Sequence, residues 1–338
     1  MNSASKILTQ PKVVANYRLE KRIGAGAMGD VYEATHLRLG KRVALKLLMA
    51  GQGDPELRER FLQEGIAASR IRHPNVVEVM DAGQDGEHDY LVMALLEGES
   101  LADHLKRTGR LNLTAAVDLI IPLCAALHCA HRVGVVHRDI KPGNIFLADV
   151  GRWQPEPMLL DFGISKLVGS QDHSLTQNPR FIGTPFYIAP EQAEGAPGSA
   201  LSDQYSLALT LYELILGIRP FEEESDSLLR LLRAITEKPI PYARHYDQSL
   251  PEDLEEVLSV GLAKAPNNRF DDLQDFGAAL LPFASLTIQR IWEGAFVSAD
   301  RTLNSINSPI SAGPAVSGHR RVQVRVEAQT PIPGELEQ

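Results

Sequence analysis

The sequence predicts an α+β protein with two lobes: a small β-rich lobe with one key helix, then a larger α-helical lobe. Three observations support this fold class. From Tyr17 the chain alternates short apolar runs with Gly and polar turns, which is typical of antiparallel strands. From Leu101 the apolar residues recur mainly at helical spacing, as in the run from Leu201 to Leu216 that ends at Gly217. The 338 residues suffice for two lobes around a cleft and a tail.

The first lobe has strand-like runs at 17–19, 31–34, 42–47, 76–80 and 90–96. Between the third and fourth runs, Asp54 and Pro55 fit the start of a helix, and an apolar face follows. Glu64 falls on that face, where a carboxylate is costly unless a cation pairs with it. The second lobe has helical candidates at 201–216, 228–235, 254–263 and 273–281.

The domain boundaries follow from changes in composition. Residues 1–16 look like a short leader, and 17–282 form the folded domain, with a small lobe at about 17–96 and a large lobe at about 97–282. Residues 283–338 are rich in Ser, Pro and charge and have little periodicity. We therefore predict a disordered C-terminal tail.

Composition argues against several classes of protein. The net charge of −9 disfavours nucleic-acid binding. Cys124 and Cys129 lie in an apolar helical pattern and indicate buried free thiols, which fits a reducing, cytoplasmic compartment. No targeting segment is visible, and the apolar stretch from Leu111 to Ala130 contains Asp118 and Pro122. We interpret that stretch as a buried core helix and expect no membrane span.

A glycine-rich run, G-x-G-x-x-G-x-V, extends from Gly24 to Val31. Glycines let the backbone approach phosphate oxygens closely. The pattern alone is ambiguous, because dinucleotide-binding proteins use it and a plain hairpin can contain it. In dinucleotide-binding folds the motif opens a helix, whereas here 31–34 continue as a strand-like run. The glycines are therefore predicted to form the turn of a hairpin.

A lysine, Lys46, follows the apolar strand residues Val43 to Leu45. A lysine in that place is usually only a strand-end charge. Because Glu64 needs a cation, the two residues together suggest an ion pair that positions Lys46 on nucleotide phosphates. Neither residue is persuasive alone.

A compact polar turn from His137 to Asn144 lies between two apolar runs. Buried polar groups at this density need partners or a purpose. Phosphoryl transfer supplies one, since it uses a carboxylate for the hydroxyl, a cation for the phosphate and oxygen ligands for Mg²⁺. Asp161, which opens Asp-Phe-Gly after a strand-like run, adds a second hard oxygen ligand.

These motifs, taken in order, resemble the eukaryotic-type (Hanks-type) protein kinases. The set comprises the three glycines, Lys46, Glu64, the His-Arg-Asp-x-x-x-x-Asn loop, Asp-Phe-Gly and Ala-Pro-Glu at 189–191. The segments 187–192 and 202–207 are similar to the bacterial serine/threonine branch. The resemblance covers about 17–282 and implies the bilobal protein-kinase fold, with ATP and Mg²⁺ (or Mn²⁺ in its place) in the cleft.

The resemblance implies a role for each matching position. Asp139 orients the acceptor hydroxyl and Lys141 neutralises the γ-phosphate, with Lys46 and Glu64 completing the catalytic set. Asn144 and Asp161 hold the metal. Asp203 anchors the backbone of the catalytic loop, and Glu191 pairs with Arg269. The implied ATP-binding residues are Ile23, Gly24, Ala25, Gly26, Ala27, Met28, Gly29, Val31, Ala44, Lys46, Met93, Ala94 and Leu96.

The acceptor class and the control of activity also follow from the resemblance. Lys141 in the catalytic loop and Thr184, a substrate-docking position, imply protein substrates with Ser or Thr acceptors. Arg138 before the catalytic aspartate implies a switch by phosphorylation, because an arginine is ready to accept a phosphate. We hypothesise that Thr176 is autophosphorylated, with Ser174 second, and that a transient homodimer serves this reaction in trans.

Three alternatives are weighed against this interpretation. A pseudokinase scaffold would have lost Lys46, Asp139 or Asp161, and all three are present. A small-molecule phosphotransferase would usually lack the elements from 183 to 191 that dock proteins. A dinucleotide-dependent oxidoreductase leaves the motifs between 137 and 191 unexplained.

Overall fold

The computed structural model describes residues 13–26, 29–48, 65–86, 88–151, 155–162 and 185–296. The small lobe is a six-stranded antiparallel sheet in the order β1-β2-β3-β4-β6-β5. A helix, α1, is described over 65–69. The strands are β1 (Val13–Val14), β2 (Tyr17–Gly26), β3 (Gly29–His36), β4 (Arg42–Leu48), β5 (Val79–Asp85) and β6 (His88–Ala94).

The glycine-rich run lies on the β2–β3 hairpin, where Gly26 pairs with Gly29. The third glycine is needed for close packing of the next strand: a Cβ atom at Gly29 would lie 1.8 Å from the carbonyl oxygen of Leu47. The prediction of a hairpin, rather than a turn that opens a helix, is therefore correct for the described residues.

The small lobe departs from the prediction at two places. Val14 is fully buried in a cluster with Tyr17 and Leu19, so the predicted leader ends before β1 and not at residue 16. β5 begins at Val79, although the strand-like run begins at Val76. The earlier residues bond instead to the large lobe, where Val76 bridges Leu159.

The large lobe is built around α3, which packs against α5 and α9 in a single apolar core. A three-stranded antiparallel sheet, in the order β7-β8-β9, lies between this core and the small lobe. The strands are β7 (Gly98–Ser100), β8 (Ile145–Ala148) and β9 (Glu156–Leu159). The helices are α2 (Leu101–Thr108), α3 (Leu113–Arg132), α4 (Pro190–Ala193), α5 (Ala200–Leu216), α6 (Leu228–Glu237), α7 (Ala243–Tyr246), α8 (Glu252–Gly261), α9 (Leu273–Leu280) and α10 (Leu286–Trp292).

The ends of the main helices have clear local causes. The side chains of Ser100 and Asn112 accept hydrogen bonds from backbone N–H groups in the first turns of α2 and α3. α5 ends at Gly217, whose φ of 73° is the left-handed conformation that glycine adopts most easily. In the described chain, α3 alone has the length and composition of a membrane span, but 61% of its apolar window is buried inside the protein. It is a core helix of the large lobe.

The ordered structure extends beyond the predicted domain boundary at 282. Residues 286–292 form α10, and Phe296 is buried. The expectation of a disordered tail from 283 is therefore wrong for 283–296, while 297–338 lie outside the described residues. Ala284, Ile288, Trp292 and Phe296 pack against the core of the large lobe, and Trp292 also meets the ring of the distant His73.

Replacing Gly29 with Ala should destabilise the small lobe, because the new Cβ would collide with the Leu47 carbonyl oxygen. Overpacking of this kind costs about 1–3 kcal/mol of unfolding free energy. Gly24→Ala is the matched control, since its nearest neighbour would be the Val31 side chain at 3.6 Å. Urea unfolding measures both variants, and equal midpoints would contradict the role assigned to Gly29.

Candidate active site

An apolar cluster lines the cleft beneath the glycine-rich hairpin. Side chains alternate along a strand, so Ala44 and Lys46 share one face of β4, and Val31 pairs with Lys46 across β3. Met93, opposite Ala44 on β6, is buried in the same cluster. The structure thus brings together most of the apolar residues predicted to contact ATP, namely Val31, Ala44, Met93, Ala94 and Leu96.

Other predicted ATP-binding residues are placed differently. Ile23 is 44% exposed and lies outside this cluster. The backbone N–H of Ala94 donates to the Glu78 carbonyl oxygen at 3.0 Å and is therefore not available to a ligand. Ala27 and Met28 lie outside the described residues.

Lys46 and Asp161 form an ion pair across the cleft, with Nζ and Oδ1 2.9 Å apart. The lysine side chain is only 7% exposed, whereas the Asp161 side chain is 35% exposed, so water screens the pair from the aspartate side alone. The predicted ion pair between Lys46 and Glu64 stays a prediction, because Glu64 lies outside the described residues.

The loop from 137 to 144 holds Asp139 by two neighbours on the same turn. Lys141 Nζ lies 2.7 Å from Asp139 Oδ2, and Asn144 Nδ2 lies 2.8 Å from the same oxygen. The amide of Asn144 also donates to the Asp139 carbonyl at 2.7 Å. These bonds fix the carboxylate in one orientation and fold the loop around it.

Asp203, on α5, fixes the backbone of this loop. Its carboxylate is 1% exposed and accepts from the N–H of His137 and the N–H of Arg138, both at 2.7 Å. His131 Nε2 donates to it at 2.8 Å. Three donors satisfy the buried charge, and they hold Arg138 in a left-handed conformation with φ of 65°.

His137 links the loop to the segment that carries Asp161. Burial lowers the pKa of His137, so the ring is neutral. Nδ1 accepts from the N–H of Asp139, so the proton lies on Nε2, which donates to the Leu160 carbonyl at 2.8 Å. The ring also packs on buried Phe162, with centroids 4.7 Å apart. His137 thus holds both neighbours of Asp161, Leu160 and Phe162, next to the loop. Asp161 itself has a left-handed backbone, with φ of 47°.

Glu191 and Arg269 are joined by two hydrogen bonds of 2.7 and 2.8 Å. The Arg269 side chain is fully buried and also donates to the carbonyls of Leu201, Ala263 and Lys264. This pair holds the first turn of α4 against the segment between α8 and α9. Thr176, Ser174 and Thr184 lie outside the described residues, so their roles stay predictions.

Sequence reasoning missed two groups at the site. In the sequence, His131 is only one more residue of an apolar helical pattern. Its partner, Asp203, lies 72 residues further along the chain. The hydroxyl of Tyr187 donates to Glu213, whose pKa is raised by burial, and Arg219 lies over the Phe186 ring at 4.0 Å. A glutamate within the apolar run of α5 was the available signal for this second group.

The two-lobed fold and this site together define a protein of the protein-kinase class. The model of the protein kinase domain family matches residues 17–276. Among similar proteins, the serine/threonine-protein kinase PknA of Mycobacterium tuberculosis is 41% identical over 260 residues, 75% of this chain and 58% of that protein. PknB of Mycolicibacterium smegmatis is 33% identical over 316 residues, 91% of this chain and 48% of that protein.

Solved structures give the same result for the fold. A mutant of the Mycobacterium tuberculosis PknI kinase domain has a TM-score of 0.64 and 29% identity, covering 84% of this chain and 99% of that one. The chain therefore belongs to the protein kinase domain family, in its bacterial serine/threonine branch, and the predicted fold is confirmed. It spans about half the length of the curated relatives it matches.

Glu191→Ala should strongly destabilise the protein, because it leaves the buried Arg269 guanidinium without its carboxylate. Removing one partner of a buried pair costs about 3–5 kcal/mol. Glu237→Ala, which breaks the exposed pair with Arg233, should cost less than about 1 kcal/mol. Chemical denaturation of the two variants checks this, and similar losses in both would refute the assignment.

Proposed function

We propose that this protein is a serine/threonine protein kinase that uses ATP and Mg²⁺ to phosphorylate Ser or Thr hydroxyls of protein substrates. One observation carries the proposal: Lys141 and Asn144 hold the Asp139 carboxylate on a loop that adjoins the Lys46–Asp161 pair. Relatives named serine/threonine-protein kinases support the choice of acceptor. A cytoplasmic location is the corresponding proposal for where the reaction occurs.

Asp139 acts on the acceptor hydroxyl. A carboxylate fixed by a lysine and an amide can accept a hydrogen bond from the hydroxyl and aim its oxygen at the phosphorus atom. Lys141 lies beside it, so its ammonium group would balance the negative charge of the phosphoryl group in transfer. Thr184 would complete the docking of the acceptor, as the family resemblance implies.

The nucleotide fits the cleft by its chemistry. The adenine ring would pack between Val31 and Ala44, with Met93 at the rear of the pocket. The buried Lys46 would meet the α- and β-phosphates, and the glycine-rich hairpin would cover them with backbone N–H groups.

The donor set beside Lys46 fits Mg²⁺. The Asp161 carboxylate and the Asn144 amide oxygen are hard oxygen ligands, and the Asn144 nitrogen is already used by Asp139. The N–H of Leu160 donates to the Asn144 carbonyl at 2.9 Å, which ties the two segments together. In the described chain no group of three His, Cys, Asp or Glu residues could hold a metal, so phosphate oxygens and water would complete the coordination. The ion, or Mn²⁺ in its place, would neutralise charge on the phosphates.

Asp139→Asn should lower kcat for a protein substrate by about 10²–10⁴-fold, because the hydroxyl loses its carboxylate partner. The affinity for ATP should change little, and Lys46→Met should be nearly inactive. Asp149→Asn is the control, since Asp149 caps a turn after β8 at an exposed position. Transfer of labelled phosphate is measured. Wild-type turnover in Asp139→Asn would contradict the role assigned to Asp139 in binding the acceptor hydroxyl. If the wild type binds nucleotide but transfers no phosphate, the pseudokinase alternative is favoured.

Activation by phosphorylation of the loop that contains Ser174 and Thr176 is the second part of the proposal. The Nε atom of Arg138 is buried and has no hydrogen-bond partner among the described residues. Its side chain packs on Gly198, where a Cβ atom would come within 2.9 Å of Arg138 Cγ. Arg138 as a whole is only partly buried, and a guanidinium with an unused donor is suited to a phosphate group. A transient homodimer would deliver that phosphate in trans.

Incubation with MgATP should place phosphate on Thr176, with Ser174 as the secondary site, and should raise kcat. Mass spectrometry at successive times, paired with activity, checks the order of events. Thr176→Ala and Arg138→Ala should lower activity to the same level, and the double variant should lose no more, because both act through one contact. Ser170→Ala is the control. If activity develops while Thr176 stays unmodified, the hypothesis is wrong.

A further inference from the structure

The segment after α9 is anchored to the core although it lies beyond the family match, which ends at residue 276. The N–H of Ser285 donates to Asp118 Oδ1 at 2.8 Å, and Asp118 is a buried residue of α3. The Ser285 hydroxyl then accepts from the N–H of Ile288 and caps α10. This anchor fixes the start of α10 on the core helix of the large lobe.

Three rings stack at the other end of α10. The Trp292 ring lies 5.8 Å from Phe296 and 6.3 Å from His73, and the planes differ by only 27° and 24°. Phe296 is 4% exposed and covers Gly277 of α9, where a Cβ atom would come within 2.9 Å of its ring. One face of the stack thus rests on the large lobe, and the other face touches the loop that follows α1.

His73 belongs to the loop that joins α1 to β5, and this loop is bonded to β9. Asn75 Nδ2 donates to the Pro157 carbonyl at 2.9 Å, and the N–H of Leu159 donates to the Asn75 carbonyl at 2.8 Å. The N–H of Asn75 donates to His73 Nδ1, which fixes the ring that Trp292 meets. Two residues after Leu159 the chain reaches Asp161. A contact with His73 therefore influences the position of β9, the strand that leads to Asp161.

α1 and the loop that follows it both contribute residues to the core of the large lobe. Ala68 and Ile71 are buried in the cluster that contains Phe162, next to Asp161. Movement of the loop would shift α1 and the Asp161 segment together. Trp292 is the aromatic residue that braces the loop from outside.

We propose that Trp292 is a positioning residue for phosphoryl transfer, which acts through His73 and the loop to β9. It touches neither nucleotide nor acceptor. It holds the His73 loop against the large lobe, and so keeps Asp161 at the distance from Lys46 that binding of the nucleotide requires. The inference rests on the proposed kinase activity.

The test uses the full chain with Trp292→Ala, Trp292→Phe and, as control, Ile291→Ala, whose side chain is 62% exposed on the same helix. For Trp292→Ala we expect kcat to fall about tenfold and KM for ATP to rise, as small misplacements of reacting groups produce. Trp292→Phe should restore most of the activity, and Ile291→Ala should match the wild type. His73→Ala should add little to Trp292→Ala, because both break one contact.

A merely structural role predicts a different pattern. Urea unfolding of each variant gives the folded fraction under assay conditions. If Trp292→Ala lowers the midpoint while the folded fraction keeps wild-type kcat and KM for ATP, the proposal is overturned. Failure to rescue with Trp292→Phe, together with a loss in Ile291→Ala, also overturns it.

Nucleotide binding separates this proposal from the proposed function. The chain has two tryptophans, so Trp153→Phe leaves Trp292 as the sole tryptophan. Addition of MgADP to Trp153→Phe should change the fluorescence emission of Trp292. In calorimetry, Trp292→Ala should bind MgADP more weakly than the wild type. If the wild type transfers no phosphate, the proposed function fails. Unchanged emission, or equal MgADP affinity in the two proteins, refutes the positioning role whatever the activity.

Discussion

The arrangement of the site depends on the buried carboxylate of Asp203. It holds two consecutive backbone N–H groups, those of His137 and Arg138, and so dictates the path of the chain into Asp139. Hydrogen bonds to a charged group contribute about 1.5–3 kcal/mol each, more than neutral ones. A carboxylate that is 1% exposed would be very costly with any of these donors missing. The loop and α5 are therefore stable only together.

The second constraint is the join between the lobes. The loop after α1 bonds to β9 through Asn75 and Val77, so the small lobe is held on the large lobe beside the segment of Asp161. On the other side of the cleft, Lys46 meets Asp161 directly. Charge, backbone bonds and the His137–Phe162 contact all converge on one short segment. The position of Asp161 is thus set by both lobes.

Much of the candidate site was predictable because its residues lie close together in short segments of the sequence. Asp139, Lys141 and Asn144 share one turn, and the alternation of apolar residues along β4 places Ala44 and Lys46 on one face. The strands from Tyr17 to Leu47 and the long helix to Gly217 were predictable from local pattern alone.

What could not be predicted depends on contacts between distant residues. β5 starts late because Val76 and Val77 bond to β9. α10 has only a short apolar stripe, in which Ile288 and Trp292 pack against the core of the large lobe while Leu286 and Ile291 are exposed. Its position also depends on the contact of Trp292 with the distant His73. His131 gives no sign in the sequence of the carboxylate that it meets on α5.

Two residues at the centre of the site, Arg138 and Asp161, have left-handed backbones with φ of 65° and 47°. Such conformations cost a non-glycine residue about 1–3 kcal/mol each, and the contacts described above must offset that cost. A rearranged loop would recover this free energy. Because it would also lose those contacts, a small molecule that binds the rearranged form has to supply the remaining free-energy difference from its own contacts. The relieved strain lowers that difference, so a search for ligands of this protein should include compounds that do not fit the conformation seen here.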